Sequence, residues 1–128
     1  MLFDTSVFVD HLRQTNPIAS TYVSGVVAGN PGYCSTITEA ELWVGIRNAR
    51  EEATIDALLS FFTVIPVNSG IARQAGNLLH NMNEQQRRAH FADALLAATA
   101  LDVGESVLTA DGRSQLVFGG QVDYMVYQ

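Results

Sequence analysis

Hydrophobic positions in this chain come in short runs whose period switches repeatedly between strand-like and helix-like spacing. The apolar opening stops at Asp4, which predicts a strand over residues 1–4. Val7, Phe8 and Leu12 then recur at helical spacing and predict a helix over 5–13, with Thr5 as its N-cap. Asn16-Pro17 opens a second helix, over about 17–28, because proline is well tolerated at a first helical position. Gly29-Asn30-Pro31-Gly32 is a turn and 33–35 a short strand. Thr36 and Glu39 fit a capping box for a helix reaching about Arg47. A helix over about 51–61, a strand over 62–67 and a helix over about 69–81 follow, the last with Ala72, Ala75, Leu78, Leu79 and Met82 on one stripe. Polar residues 83–88 read as a break or helix end, and 91–102 as a strongly apolar helix. A strand over 106–109, a turn at Asp111-Gly112 and a strand over 122–126 complete the pattern.

Strands alternating with helices predict an α/β protein, a three-layer α/β/α sandwich around a mainly parallel sheet with right-handed crossovers. The length of 128 residues suits a single domain, 1–128. Composition narrows the chemistry. A hydrophobic fraction of 48% and a charged fraction of 16% describe an ordinary folded protein, and no apolar run approaches the ~18 residues of a membrane span. All seven basic residues are arginine, so phosphate-loop and Schiff-base chemistries, which need lysine, are excluded. Cys34 is the lone cysteine, which rules out an internal disulfide and reads as a buried structural thiol. Asp4 stands where a secretion signal would be basic and then apolar, so the expected location is the cytoplasm. A net charge of −6 opposes passive electrostatic capture of nucleic acid, yet acids gathered around divalent cations would reverse the local field.

That possibility directs attention to four acids. Asp4 ends the first strand, Glu41 lies in the second turn of the helix after the second strand, Asp93 in the first turn of the 91–102 helix, and Asp111 two residues past Thr109. Ligands of parallel sheets sit at the carboxyl ends of the strands, and all four carboxylates can reach that edge. Each also has a plainer reading: a helix cap for Asp4, a favourable helix dipole for Asp93, a turn pair for Asp111-Gly112, a capping acid for Glu41. Asp93 shares a face with Leu96, Ala97, Ala100 and Leu101, and Glu41 with Ile37, Ala40 and Val44, so both are expected to point inward. Leu42, Trp43 and Ile46 make the opposite face of the Glu41 helix apolar too. Buried carboxylates without lysine partners are costly, and Mg²⁺ or Mn²⁺ would neutralise them with all-oxygen ligands. One or two such ions can activate water and hold a phosphate for hydrolysis, leaving a 3′-hydroxyl and a 5′-phosphate. The Ser6 and Thr109 hydroxyls either position this machinery or cap local structure. Arg87 and Arg88 are candidate RNA phosphate contacts, or else solvated or partner-facing, and Arg47 and Arg50 are similar. His11, His80 and His90 lack paired ligand spacing, and Trp43, Tyr124 and Tyr127 read as core or interface.

The segments around these acids resemble the PIN domain, and within it the VapC-type toxins of type II toxin–antitoxin pairs. The opening through Asp4-Thr5-Ser6, the stretch Ser35-Thr36-Ile37-Thr38-Glu39-Ala40-Glu41-Leu42 with Gly45, Asp93 with the alanine- and leucine-rich run after it, and Leu108-Thr109-Ala110-Asp111 match the family's four motifs in order and spacing. The resemblance implies that Asp4, Glu41, Asp93 and Asp111 hold Mg²⁺, with Mn²⁺ as a substitute, in an endoribonuclease acting on RNA. It also implies a homodimer and inhibition by a small VapB-like antitoxin. Downstream of Asp111 the family often has an Asp-Phe pair, where this chain reads Gly112-Arg113-Ser114-Gln115-Leu116. Two other readings stand beside it. One is an inactive PIN-fold interaction module. The other is a Mg²⁺-dependent phosphatase with Asp4 as nucleophile, which Ser6 in place of a second acid and the absence of lysine both disfavour.

Overall fold

The computed structural model describes residues 1–127, so the final residue of the expected 1–128 domain lies outside the described residues. Over those residues the order is β1 (Leu2–Phe3), α1 (Thr5–Arg13), α2 (Pro17–Val27), β2 (Tyr33–Ser35), α3 (Thr36–Val44), α4 (Ala49–Leu59), β3 (Thr63–Ile65), α5 (Ser69–Leu79), α6 (Glu84–Val103), β4 (Val107–Thr109), α7 (Arg113–Phe118) and β5 (Tyr124–Val126). The strands pair in the order β3-β2-β1-β4-β5, all parallel. Leu2 stands opposite Val107 and Phe3 opposite Leu108. The α/β/α fold is therefore as expected, with a wholly parallel sheet.

Strand alternation divides the core in two. Phe3, Cys34 and Leu108 face a cluster with Val7, Phe8, Val23, Leu58 and Phe62, built on α1, α2 and α4. Leu2 and Val107 face the other, with Ile71, Ala75, Ala94, Ala97 and Phe118 from α5, α6 and α7. Phe62 anchors the first cluster, 4.8 Å from Phe8 and 5.1 Å from Phe3 between ring centroids, both edge-on. Gly32 admits this packing, since a Cβ there would lie 2.6 Å from Val26 Cγ2. Cys34 is fully buried, and burial, with Glu39 nearby, pushes its thiol up to about 12, as a structural cysteine requires.

Helix starts follow from short polar side chains. Asp4, Asn16, Ser35, Asn48, Asn68 and Asn83 each accept a backbone N–H at the N-terminus of α1 to α6. Asp4, not Thr5, caps α1, and Ser35 caps α3, so the expected Thr36–Glu39 box does not form. Thr36 Oγ1 instead accepts the N–H of Val67 at 3.1 Å. The capping box is at α6, where Asn83 and Gln86 exchange bonds.

That box overturns the expected break at 83–88. Apart from Asn83, the cap, these polar residues are the first turns of a 20-residue helix, about 30 Å long against a sheet of strands two or three residues long. The helix overhangs the sheet edge, and continuous burial begins only at Ala94. Asp93 therefore lies mid-helix, where α6 first meets the sheet. A second difference is α7, six residues long and not anticipated, whose Ser114 and Phe118 are buried. A third concerns α3: Thr38 and Leu42 form its buried face, while Ala40, Glu41 and Val44 are exposed. Apolar residues all round α3 left its inward face undetermined by periodicity.

Candidate metal centre

The strand order makes β1 the point from which the sheet grows in both directions. Such a switch leaves a crevice at the carboxyl ends, here beside β1 and β4. Asp4 follows β1 directly. Its Oδ1 accepts the Thr5 N–H at 2.8 Å, and its Oδ2 accepts hydroxyls from Ser6 at 3.0 Å and Thr109 at 2.7 Å. Ser6 Oγ also accepts the Ala110 N–H, and Thr109 Oγ1 accepts the Asp111 N–H. The two hydroxyls thus tie the ends of β1 and β4 together and fix the orientation of the Asp4 carboxylate.

Glu41 comes to the same place on α3. Its Oε1 accepts the Thr5 hydroxyl at 2.7 Å, and that hydroxyl lies 3.0 Å from Thr38 Oγ1. Asp93 arrives from α6, half-buried. Burial pushes its carboxyl above the ordinary aspartate range, and the charges of Asp4 and Asp111 add to this. The Ser114 hydroxyl and His90 act in the opposite direction. Asp4, Glu41 and Asp93 line one cleft of about 40 Å³ with Ile37, Thr38, Ala92 and Leu96.

Asp111 does not line that cleft. Its carboxylate accepts the Arg113 N–H at 2.9 Å and meets the guanidinium at 2.8 and 2.6 Å, which holds it below its usual range. Among the described residues, no three of His, Cys, Asp and Glu are grouped closely enough to hold an ion. The acids share a cleft without closing on one point. Glu41 is exposed rather than inward-pointing, as given above.

The donor chemistry nevertheless fits a hard divalent cation. The cleft offers carboxylate and hydroxyl oxygens and no arginine. Nearby, the Tyr124 hydroxyl is buried without a hydrogen-bond partner among the described residues. Burial pushes it well above the usual phenol range, as do the charges of Asp93 and Asp4, which a cation would offset. Arg87 donates to the Leu79 and His80 carbonyls, and Arg88 pairs with Glu84 at 2.8 Å, both on the overhang of α6.

Thr5, Ser114 and Tyr124 are site neighbours that sequence reasoning missed. Thr5 is adjacent to Asp4 in a recognised motif, where its hydroxyl reads locally as a helix cap. Ser114 and Tyr124 carried no local signal, since each meets the acids only through tertiary packing.

Comparison with known proteins agrees with this geometry. The PIN domain family profile matches residues 1–117. Ribonuclease VapC19 of Mycobacterium tuberculosis is 32% identical over 112 residues, covering 88% of this chain and 89% of that one. Ribonuclease VapC10 of the same organism is 35% identical over 100 residues, covering 78% and 74%. A toxin-antitoxin complex from Klebsiella pneumoniae contains a chain that superposes with a TM-score of 0.76 at 26% identity, covering 99% of this chain and 98% of that one. VapBC-1 from nontypeable Haemophilus influenzae gives 0.77 at 20% identity, covering 98% and 96%, a likeness of fold.

Proposed function

Because the chain belongs to the PIN domain family, in its VapC-type branch, we propose that it is a Mg²⁺-dependent endoribonuclease that serves as the toxin of a toxin–antitoxin pair. The observation that carries this reading is the lining of one cleft by Asp4, Glu41 and Asp93 at the carboxyl edge of the sheet. These three carboxylates would hold Mg²⁺ or Mn²⁺, and Asp111, which lies outside the cleft and is paired with Arg113, would join them only on release from that pair. The bound ion supplies Lewis acidity toward water and the scissile phosphate. The protein's own part is positional. Ser6 and Thr109 keep Asp4 Oδ2 in place, Thr5 restrains Glu41, and Ser114 supports Asp93. Hydrolysis leaves a 3′-hydroxyl and a 5′-phosphate.

The partners in this reading are an RNA substrate, a VapB-like antitoxin that blocks the cleft, and a second copy of the chain in a homodimer, and the expected location is the cytoplasm. No helix among the described residues is long and apolar enough to cross a membrane.

The test is RNA cleavage by the purified chain with Mg²⁺, with Mn²⁺ and with chelator, beside Asp4→Asn. Loss of a ligand to the ion is expected to lower cleavage at least about a hundredfold, roughly 3 kcal/mol of transition-state stabilisation. Equal rates in parent and variant would remove the assignment. An inactive PIN-fold interaction module is the second reading, and the spacing of the acids favours it; no cleavage of any RNA by the parent would decide for it. The phosphatase reading loses ground because both oxygens of Asp4 already accept hydrogen bonds, which blunts it as a nucleophile.

A further inference from the structure

Beside the acid cleft lies a larger groove of about 740 Å³ between α1, α3 and α4. Glu41 lines both, so the groove adjoins the cleft at that side chain. Its floor includes the aliphatic side chains of Leu42 and Ile55, and its rim carries Arg13, Arg47 and Arg50. Three of the seven basic residues of a chain with net charge −6 thus stand on one groove, against two acids there, Glu41 and Glu51, so the groove is locally positive in a negative molecule. Arg47 is braced by Glu51 at 2.7 Å yet stays 84% exposed, so its guanidinium is oriented without being covered. Arg13 and Arg50 are exposed and have no acid partner among the described residues. Elsewhere Arg87, Arg88 and Arg113 are engaged with carbonyls, Glu84 and Asp111.

We propose that this groove carries the RNA strand away from the acid cleft, with Arg13, Arg47 and Arg50 on its phosphates. The proposal rests on the nuclease reading and names where that substrate lies. A strand cut beside Asp4 and Asp93 continues past the cleft, and Glu41 marks one exit. Carboxylates repel phosphates, so cations that guide the strand must stand beside the cleft rather than in it. The negative whole-molecule charge supplies no general attraction, which leaves affinity to a local basic patch. An aliphatic floor accommodates sugars, and the lining has no aromatic side chain to stack a base. Binding along this stretch should therefore be tolerant of sequence. An acidic amphipathic peptide helix would also match an aliphatic floor with a basic rim; the position of the groove next to the acid cleft, with Glu41 common to both, favours the substrate.

The experiment measures binding of a short fluorescein-labelled single-stranded RNA by anisotropy over a salt series. It uses the full chain carrying Asp93→Asn, in chelator, so that the RNA stays intact. Adding Arg13→Ala and Arg50→Ala together should weaken binding roughly tenfold and reduce the slope of log K against log salt by about 0.7 for each arginine lost. Arg73→Ala, on α5 and outside the groove, should bind as the parent does. Unchanged affinity in the double variant, an equal loss in Arg73→Ala, or no RNA binding by the parent overturns the proposal. So does retention of RNA binding in the double variant together with loss of binding to a synthetic acidic amphipathic helix, which would give the groove to a protein partner. The nuclease reading fails separately, if Asp93→Asn cleaves RNA with Mg²⁺ as fast as the unmodified chain.

Discussion

Asp93 carries a cost that the surface acids of this chain do not. Its carboxyl is raised by burial first and then by Asp4 and Asp111, so without a cation its charged form destabilises the fold. A raised folded-state value means that the folded protein holds the proton to higher pH than the unfolded chain does. Stability in chelator should therefore fall as pH climbs from the ordinary carboxylate range through the raised value. Asp93→Asn cannot ionise. We expect it to melt above the parent at neutral pH in chelator, with the difference vanishing at acid pH, while RNA cleavage is lost. Melting curves at both pH values check this, and a less stable variant at neutral pH would refute it. Asp93 was legible in the sequence because it heads an apolar run. Ser114, which offsets part of the cost, was not, because it reaches Asp93 from a helix with no periodic signature.

Among the elements, α6 shows how a pattern can be read correctly and placed wrongly. The apolar stripe after residue 91 marks where the helix meets the sheet, not where it begins. Its first turns project beyond the sheet and are held by their own capping box. A cap of this kind is worth about 1 kcal/mol. Because the overhang has little core beneath it, Asn83→Ala should act locally. Amide exchange over residues 84–92 should quicken while the global melting temperature barely moves. Unchanged exchange there, or a large global loss, would contradict this account. The predicted short strands and the helices α2, α4 and α5 were recovered because their signals act within a few residues. The facing of α3 was not, since it is apolar around most of its circumference and only neighbouring elements choose which side is covered.

Across the whole molecule, function and stability meet at the sheet edge. An ion that binds only the folded protein stabilises it by mass action, about 2.7 kcal/mol at a hundred times its dissociation constant. Mg²⁺ or Mn²⁺ should raise the melting temperature of the parent, chelator should reverse the rise, and both Asp4→Asn and Asp93→Asn should show a much smaller shift. A parent that melts alike with and without these ions would argue against the metal centre. The sequence by itself determined the α/β alternation, most strand and helix positions, and the acids worth testing, because periodicity, caps and motif spacing are properties of neighbouring residues. Only the tertiary structure decided which acids share a cleft. It joined Thr109 to Asp4 across 105 positions and Thr5 to Glu41 across 36, gave Asp111 to Arg113, and set the arginine groove beside Glu41. Those meetings depend on strand order and on the line where each helix crosses the sheet, which long-range packing fixes and no local pattern encodes.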